Sequence, residues 1–307
     1  MGELVDGIWH PGWGSSGKGG AFDRPAAPFR DQEVVPEAGR YHLYVQYACP
    51  WAHRTLITRA VRGLAHAVSL TVLGPKMGDD GWPFRPEEPD PIGPSQFLRE
   101  VYLRANPHYS GKVTVPVLWD RVTGRIVNNE SREVMRLLDV GLAPLAKDPV
   151  VETLAPPELR PEIERVLDEI YAPINNGVYR AGFAKTQEAY DDAVDKLFAA
   201  LAHWDGVLAD RPFTCGDTLT EADIALFTTC LRFDLVYYGH FKCNVRRLRD
   251  HVNLWRFVRQ LYAIPAIRET CNLDEIKTHY YWSQQNVNPT RIVPAGPSEY
   301  ALELEQG

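Results

Sequence analysis

A chain of 307 residues is longer than one hydrophobic core usually serves, so two domains are expected. Its composition, 45% hydrophobic and 24% charged, is that of a globular protein, and a net charge of −7 gives no general attraction for nucleic acid or an anionic membrane surface. No apolar run approaches the roughly 18 residues of a bilayer span and no signal-like segment opens the sequence, so a cytoplasmic protein with no nucleic-acid or membrane partner is expected.

Residues 1–40 are rich in Gly and Pro, with Trp9, Trp13 and Phe22 scattered among them, and read as an irregular N-terminal extension. From 41 to 140 the pattern alternates. YHLYVQY (41–47) predicts a strand, WAHRTLITRAVRG (51–63) a helix and AVSLTVLG (67–74) a second strand. In that helix Leu56, Ile57, Ala60, Val61 and Leu64 recur at three- and four-residue spacing, which turns one face to a sheet and leaves Arg54, Thr58 and Arg62 pointing elsewhere. A right-handed parallel crossover is implied. The stretch 75–94, PKMGDDGWPFRPEEPDPIGP, is a long loop and a candidate lid. QFLREVYLRA (96–105) predicts a short helix, KVTVPVLWD (112–120) and RIVNN (125–129) two strands joined by a turn at Val122–Gly124, and ESREVMRLLD (130–139) a last helix. The order is βαβαββα.

After a linker at 141–156 the strand signal ends. Ile163, Val166, Leu167 and Ile170 form one helical face, and Tyr190, Val194, Leu197, Phe198, Leu201 and Trp204 another. EADIALFTTCLRFDLVYY (221–238) is apolar nearly all round, as a helix central to a bundle would be, and Thr220 with Asp223 forms a capping-type start for it. An all-helical domain over 157–285 and an irregular tail over 286–307 are expected.

Five cysteines, Cys49, Cys215, Cys230, Cys243 and Cys271, lie at irregular spacing with no CxxC pair and no Cys/His ligand cluster, so neither a disulfide framework nor a bound metal is expected. Cys49 differs from the others. It ends the first strand and occupies the N-cap of the first helix, with Pro50 at the first helical position. Free N–H groups and the helix dipole there favour a thiolate, as a sulfur nucleophile requires. A dithiol enzyme would carry its second cysteine at position 52. Ala52 stands there, so a disulfide on Cys49 is to be resolved by an outside thiol. His53 and Arg54 follow on the first turn, candidates to assist the thiolate, with packing and surface roles the simpler expectation.

Val115-Pro116 interrupts a strand pattern, and a cis bond beside the thiol, as in thioredoxin-like folds, accounts for it. Val115 then offers its N–H and C=O to an extended peptide. Glu130 and Ser131 open the last helix of the domain, where Ser131 and nearby N–H groups suit a carboxylate and Glu130 an ammonium.

YACPWAHRTLI (47–57), GWPF (81–84), NPHYSGKVTVPVLWD (106–120), NNESREVMR (128–136), INNGVYRAGFAKTQEAYDDAV (174–194) and HYYWSQQNVNPTRIVPAGP (279–297) together resemble the glutathionyl-hydroquinone reductases, the Xi class of glutathione transferases. The resemblance implies a thioredoxin-like domain joined to a helical bundle, a homodimer, and glutathione as co-substrate in reducing glutathionyl-hydroquinones. It implies Cys49 as nucleophile, Trp82, Val115, Glu130 and Ser131 as glutathione contacts, and Tyr179 and Tyr280 as tyrosines of the hydroquinone pocket. Lys112 stands where the family usually has arginine, a point charge in place of a bidentate fork, which leaves another low-molecular-weight thiol open as the reductant. Two rivals are a Cys/His hydrolase, for which no base on another element is identifiable, and a non-catalytic scaffold, for which a low-pKa thiol has no use.

Overall fold

The structure, a computed structural model, describes residues 2–12 and 18–305; Trp13 and the ends of the extension and tail lie outside them. The described residues form two compact units. Residues 2–12 and 25–152 make the first, residues 18–24 and 153–305 the second. The change from one to the other in the main chain comes after Glu152.

The first unit is thioredoxin-like. In chain order it comprises β1 (Glu3–Val5), β2 (Ile8–His10), β3 (Tyr41–Val45), α1 (Pro50–Val61), β4 (Val68–Val72), α2 (Leu98–Ala105), β5 (Gly111–Lys112), β6 (Val117–Asp120), β7 (Arg125–Asn128) and α3 (Ser131–Arg136). Four strands make a mixed sheet in the order β4-β3-β6-β7. β3 and β4 run parallel with Leu43 opposite Leu70, and β6 runs antiparallel to both β3 and β7. β3 is buried at every residue, as a strand covered on both faces must be.

Part of the expected irregular extension is ordered strand. β1 and β2 form a hairpin that adds to β5 in a second, three-stranded sheet. Gly7 makes its turn at φ 77°, and a Cβ there would lie 2.2 Å from the Pro107 carbonyl oxygen. No spacing within residues 1–40 reveals this, because the partner strand lies a hundred residues away.

α1 is also more enclosed than its periodicity implies. Arg54, Thr58 and Arg62, turned away from the sheet, are buried as well, because α3 and the helical turn Leu137–Gly141 pack on the second face. Arg62 Nε lies 2.7 Å from Asp139 Oδ1, and its Nη1 donates to the Val151 carbonyl. Arg54 sets its guanidinium over the Trp51 ring. Buried charge is tolerated where it is paired in this way.

The candidate lid is a fastened segment. Gly74 N–H donates to Pro83, Leu98 N–H to Trp82 and Phe84 N–H to Gln96. Arg85 Nε donates to the Val72 carbonyl, and the buried Asp90 carboxylate accepts from the Tyr44 hydroxyl at 2.7 Å and from Arg104. A loop of this length stays ordered only when its backbone groups find such partners.

The second unit is all helical: α4 (Arg160–Ile170), α5 (Gly177–Gly182), α6 (Gln187–Val207), α7 (Glu221–Cys230), α8 (Val252–Tyr262), α9 (Pro265–Arg268), α10 (Leu273–Ser283) and α11 (Tyr300–Glu305). α7 is buried at every residue and packs on α4 and α8. Its start is a capping box, with the Asp223 carboxylate accepting from Thr220 and Thr214. The single helix expected over 221–238 breaks after Cys230 and resumes as a wide turn over Phe233–Tyr237. The expected irregular tail ends in α11, held by Tyr300, whose hydroxyl donates to the Leu231 carbonyl. Among the described residues no helix is long and apolar enough to cross a membrane.

Candidate active site

The expected site residues divide into two groups, one on each unit. On the first, β3 leads through a short turn into α1, and Cys49 sits at the N-cap with φ −75° and ψ 116°, followed by Pro50 at N1. Its side chain makes no capping bond. The Sγ donates at 3.6 Å to the Val115 carbonyl oxygen. Val115-Pro116 is cis, as the sequence pattern implies. Cysteine and strand backbone therefore meet across 66 residues of chain.

Burial separates Cys49 from Cys215, Cys230 and Cys243, while Cys271 is, like Cys49, partly exposed. Cys49 is half-buried and reduced. Burial pushes the Cys271 thiol up to about 12 and raises those of Cys215, Cys230 and Cys243 as well. Those four are protonated, inert thiols at neutral pH.

Glu130 is the N-cap of α3 and accepts from Arg132 N–H, while the Ser131 hydroxyl lies 3.4 Å from Glu130 Oε1. Trp82 lies in the fastened loop and is buried. Lys112, on β5, already has a partner: its Nζ lies 2.9 Å from Glu3 Oε2.

On the second unit, Tyr179 of α5 and Tyr280 of α10 are buried with their hydroxyls 2.6 Å apart. A third phenol joins them. The Tyr237 hydroxyl lies 3.0 Å from that of Tyr280, so Tyr280 is the middle of a three-hydroxyl chain. Burial, and next the neighbouring Tyr179, drive the Tyr280 and Tyr237 phenols far above their ordinary value, keeping both as O–H donors at neutral pH. Arg24 sets its guanidinium 4.8 Å from the Tyr179 ring centre and donates from Nε to Asn176 Oδ1, with Phe22 stacked on the same ring.

Several of these residues escape a reading of the sequence. Tyr237 lies in a nearly continuous apolar run, where only the Tyr-Tyr pair hints at a polar role. Phe22 and Arg24 lie in a stretch with no periodicity. Tyr102 looks like one more apolar position of α2, yet its buried hydroxyl donates to Thr114 O at 2.8 Å and accepts from Thr114 N–H and Asn129 Nδ2. It ties the strand beside Cys49 to the residues just before Glu130. Chemically, the first unit presents a thiol at a helix N-terminus against the Val115 carbonyl, and the second two neutral phenol donors, Tyr237 and Tyr280, in contact with the Tyr179 hydroxyl or with one another.

The glutathione S-transferase N-terminal domain family matches residues 48–140, and the C-terminal domain family matches residues 187–260. The chain is 46% identical to the glutathionyl-hydroquinone reductase PcpF of Sphingobium chlorophenolicum, over 97% of each chain. It is similar to the Xi class glutathione transferase of Natrialba magadii, at 50% identity and a TM-score of 0.91, over 97% of this chain and 94% of that one. The glutathione-bound structure of YqjG from Escherichia coli K-12 superposes with a TM-score of 0.85 at 44% identity, over 96% of both chains.

Proposed function

Because this chain belongs to the glutathionyl-hydroquinone reductases, the Xi class of glutathione transferases, we propose that it reduces glutathionyl-hydroquinones to hydroquinones with glutathione. The observation that carries the mechanism is Cys49, a half-buried thiol at a helix N-terminus with Ala52 where a resolving cysteine would stand.

The Cys49 thiolate attacks the sulfur of the substrate's glutathionyl group. An S–S bond forms, the carbon–sulfur bond breaks, and its electron pair stays on the ring carbon, which takes up a proton. Hydroquinone leaves. A second glutathione, as thiolate, attacks the glutathionyl sulfur of the mixed disulfide and frees Cys49, so one glutathionyl-hydroquinone and one glutathione become hydroquinone and glutathione disulfide. Val115 pairs the glutathione backbone as an added strand would, Trp82 packs against it, Ser131 and Lys112 hold carboxylate, and Glu130 the ammonium. Tyr179 and Tyr280 hold the ring hydroxyls and supply the proton that carbon needs to be a leaving atom. The chemistry needs a reducing compartment, which supports a cytoplasmic enzyme. The resemblance to the family supports a homodimer.

The test is a single turnover without added thiol. Mixed with excess glutathionyl-hydroquinone, the enzyme releases one equivalent of hydroquinone and gains one glutathionyl group on the Cys49 peptide by mass spectrometry. Hydroquinone release by Cys49→Ala at the wild-type rate would sink the mechanism.

A further inference from the structure

We propose that Glu3, in the N-terminal hairpin, is a specificity-determining residue that weakens the enzyme's hold on the anionic end of its thiol co-substrate by occupying Lys112. The inference rests on the thiol site proposed above. Val115, whose carbonyl receives the Cys49 thiol, lies three residues after Lys112, and three extended residues span at most about 10 Å, the reach of a tripeptide. A tripeptide thiol paired with Val115 is therefore long enough to bring a terminal carboxylate toward Lys112.

That ammonium is not idle. β1 pairs with β5 in a register that sets Glu3 directly opposite Lys112, and Glu3 Oε2 lies 2.9 Å from Lys112 Nζ. The Lys112 side chain is 18% exposed and that of Glu3 47%, so the contact is at the rim, within reach of solvent and ligand. The hairpin is fixed where it lies. Gly7 N–H donates to the Tyr109 carbonyl, Asp6 N–H to Ser110 Oγ, and the Trp9 indole N–H to the Asp79 carbonyl, three residues before Trp82. Side-chain reach, not chance mobility, thus brings a carboxylate of the protein to the cation that a thiol's carboxylate would use. Lysine has three N–H donors and can accept a second carboxylate, but the neighbouring Glu3 charge cancels most of its attraction.

Binding of glutathione sulfonate, which keeps both carboxylates and cannot form a disulfide, reads this directly by calorimetry. Glu3→Gln is expected to lower Kd about two- to fivefold, the range of an exposed ion pair, and to steepen its rise with salt. Glu3→Asp, which keeps the charge, stays at the wild-type value. The diethyl ester of the same ligand shows no difference between wild type and Glu3→Gln, and Lys112→Gln abolishes the gain. Equal Kd values for wild type and Glu3→Gln overturn the role of Glu3 while leaving the thiol site standing. A wild-type protein that binds no glutathione sulfonate overturns the site itself.

Discussion

The two units supply chemistry in opposite ways. In the thioredoxin-like unit the proposed nucleophile is half-exposed at the start of a helix, and its sulfur meets backbone, the Val115 carbonyl. In the helical unit the proposed proton donors are buried side chains, part of three phenols in hydrogen-bonded contact. A thiol becomes a nucleophile by being charged, which needs dipoles and some access to water. A phenol remains a proton donor by being kept neutral, which needs burial. Each unit gives its residues the environment that the proposed task requires.

Alkylation of the native protein tests the first half of that contrast. Iodoacetamide, followed by peptide mass spectrometry, should modify Cys49 at least about 10³-fold faster than Cys230 or Cys243, whose thiols burial keeps protonated and out of reach. Comparable rates would mean that the helix end does not activate Cys49. The second half is tested by Tyr280→Phe, which removes the middle hydroxyl of the phenol chain. We expect kcat for glutathionyl-hydroquinone to fall about 10²-fold or more, as when a general acid is lost, with Cys49 alkylation unchanged. An unaltered kcat would leave the phenols a packing role.

A third comparison concerns stability, in which the units should behave alike. His42, bonded to Ser69 and Thr71 in the first, and His240, bonded to Gln284 in the second, are each lowered to about 4, chiefly by burial. On acidification the unfolded chain takes up these protons first, near its ordinary value of 6.5. Stability is therefore full above pH 6.5 and is lost as pH falls toward 4, by about 3 kcal/mol for each ring. Urea melts at pH 7 and 5, with His42→Gln and His240→Gln, measure it. A midpoint that does not move with pH in the wild type would contradict the burial of both rings.

Much of the fold is legible locally. The βαβαββα order, the capping box at Thr220 and the place of Cys49 follow from periodicity, Pro50 and short-range spacing, all within one or two turns of chain. Where the reading falls short, the missing partner is distant. Arg62 is only a residue turned away from the sheet until Asp139 meets it, and residues 3–10 look irregular until β5 pairs with them. Tyr102 and Tyr237 carry no local mark at all, because their polar contacts lie with Thr114 and Asn129 and with Tyr280.

The sequence alone determines that a lone cysteine stands at a strand end beneath a helix start, with alanine at 52, and so that an outside thiol enters the chemistry. Backbone geometry over a few residues settles such a feature. The tertiary structure decides that Lys112 faces Glu3 and that three hydroxyls from positions 179, 237 and 280 form one chain. Those contacts join residues 43 to 109 positions apart, and no local preference of the chain encodes which of them meet; packing of the whole unit does.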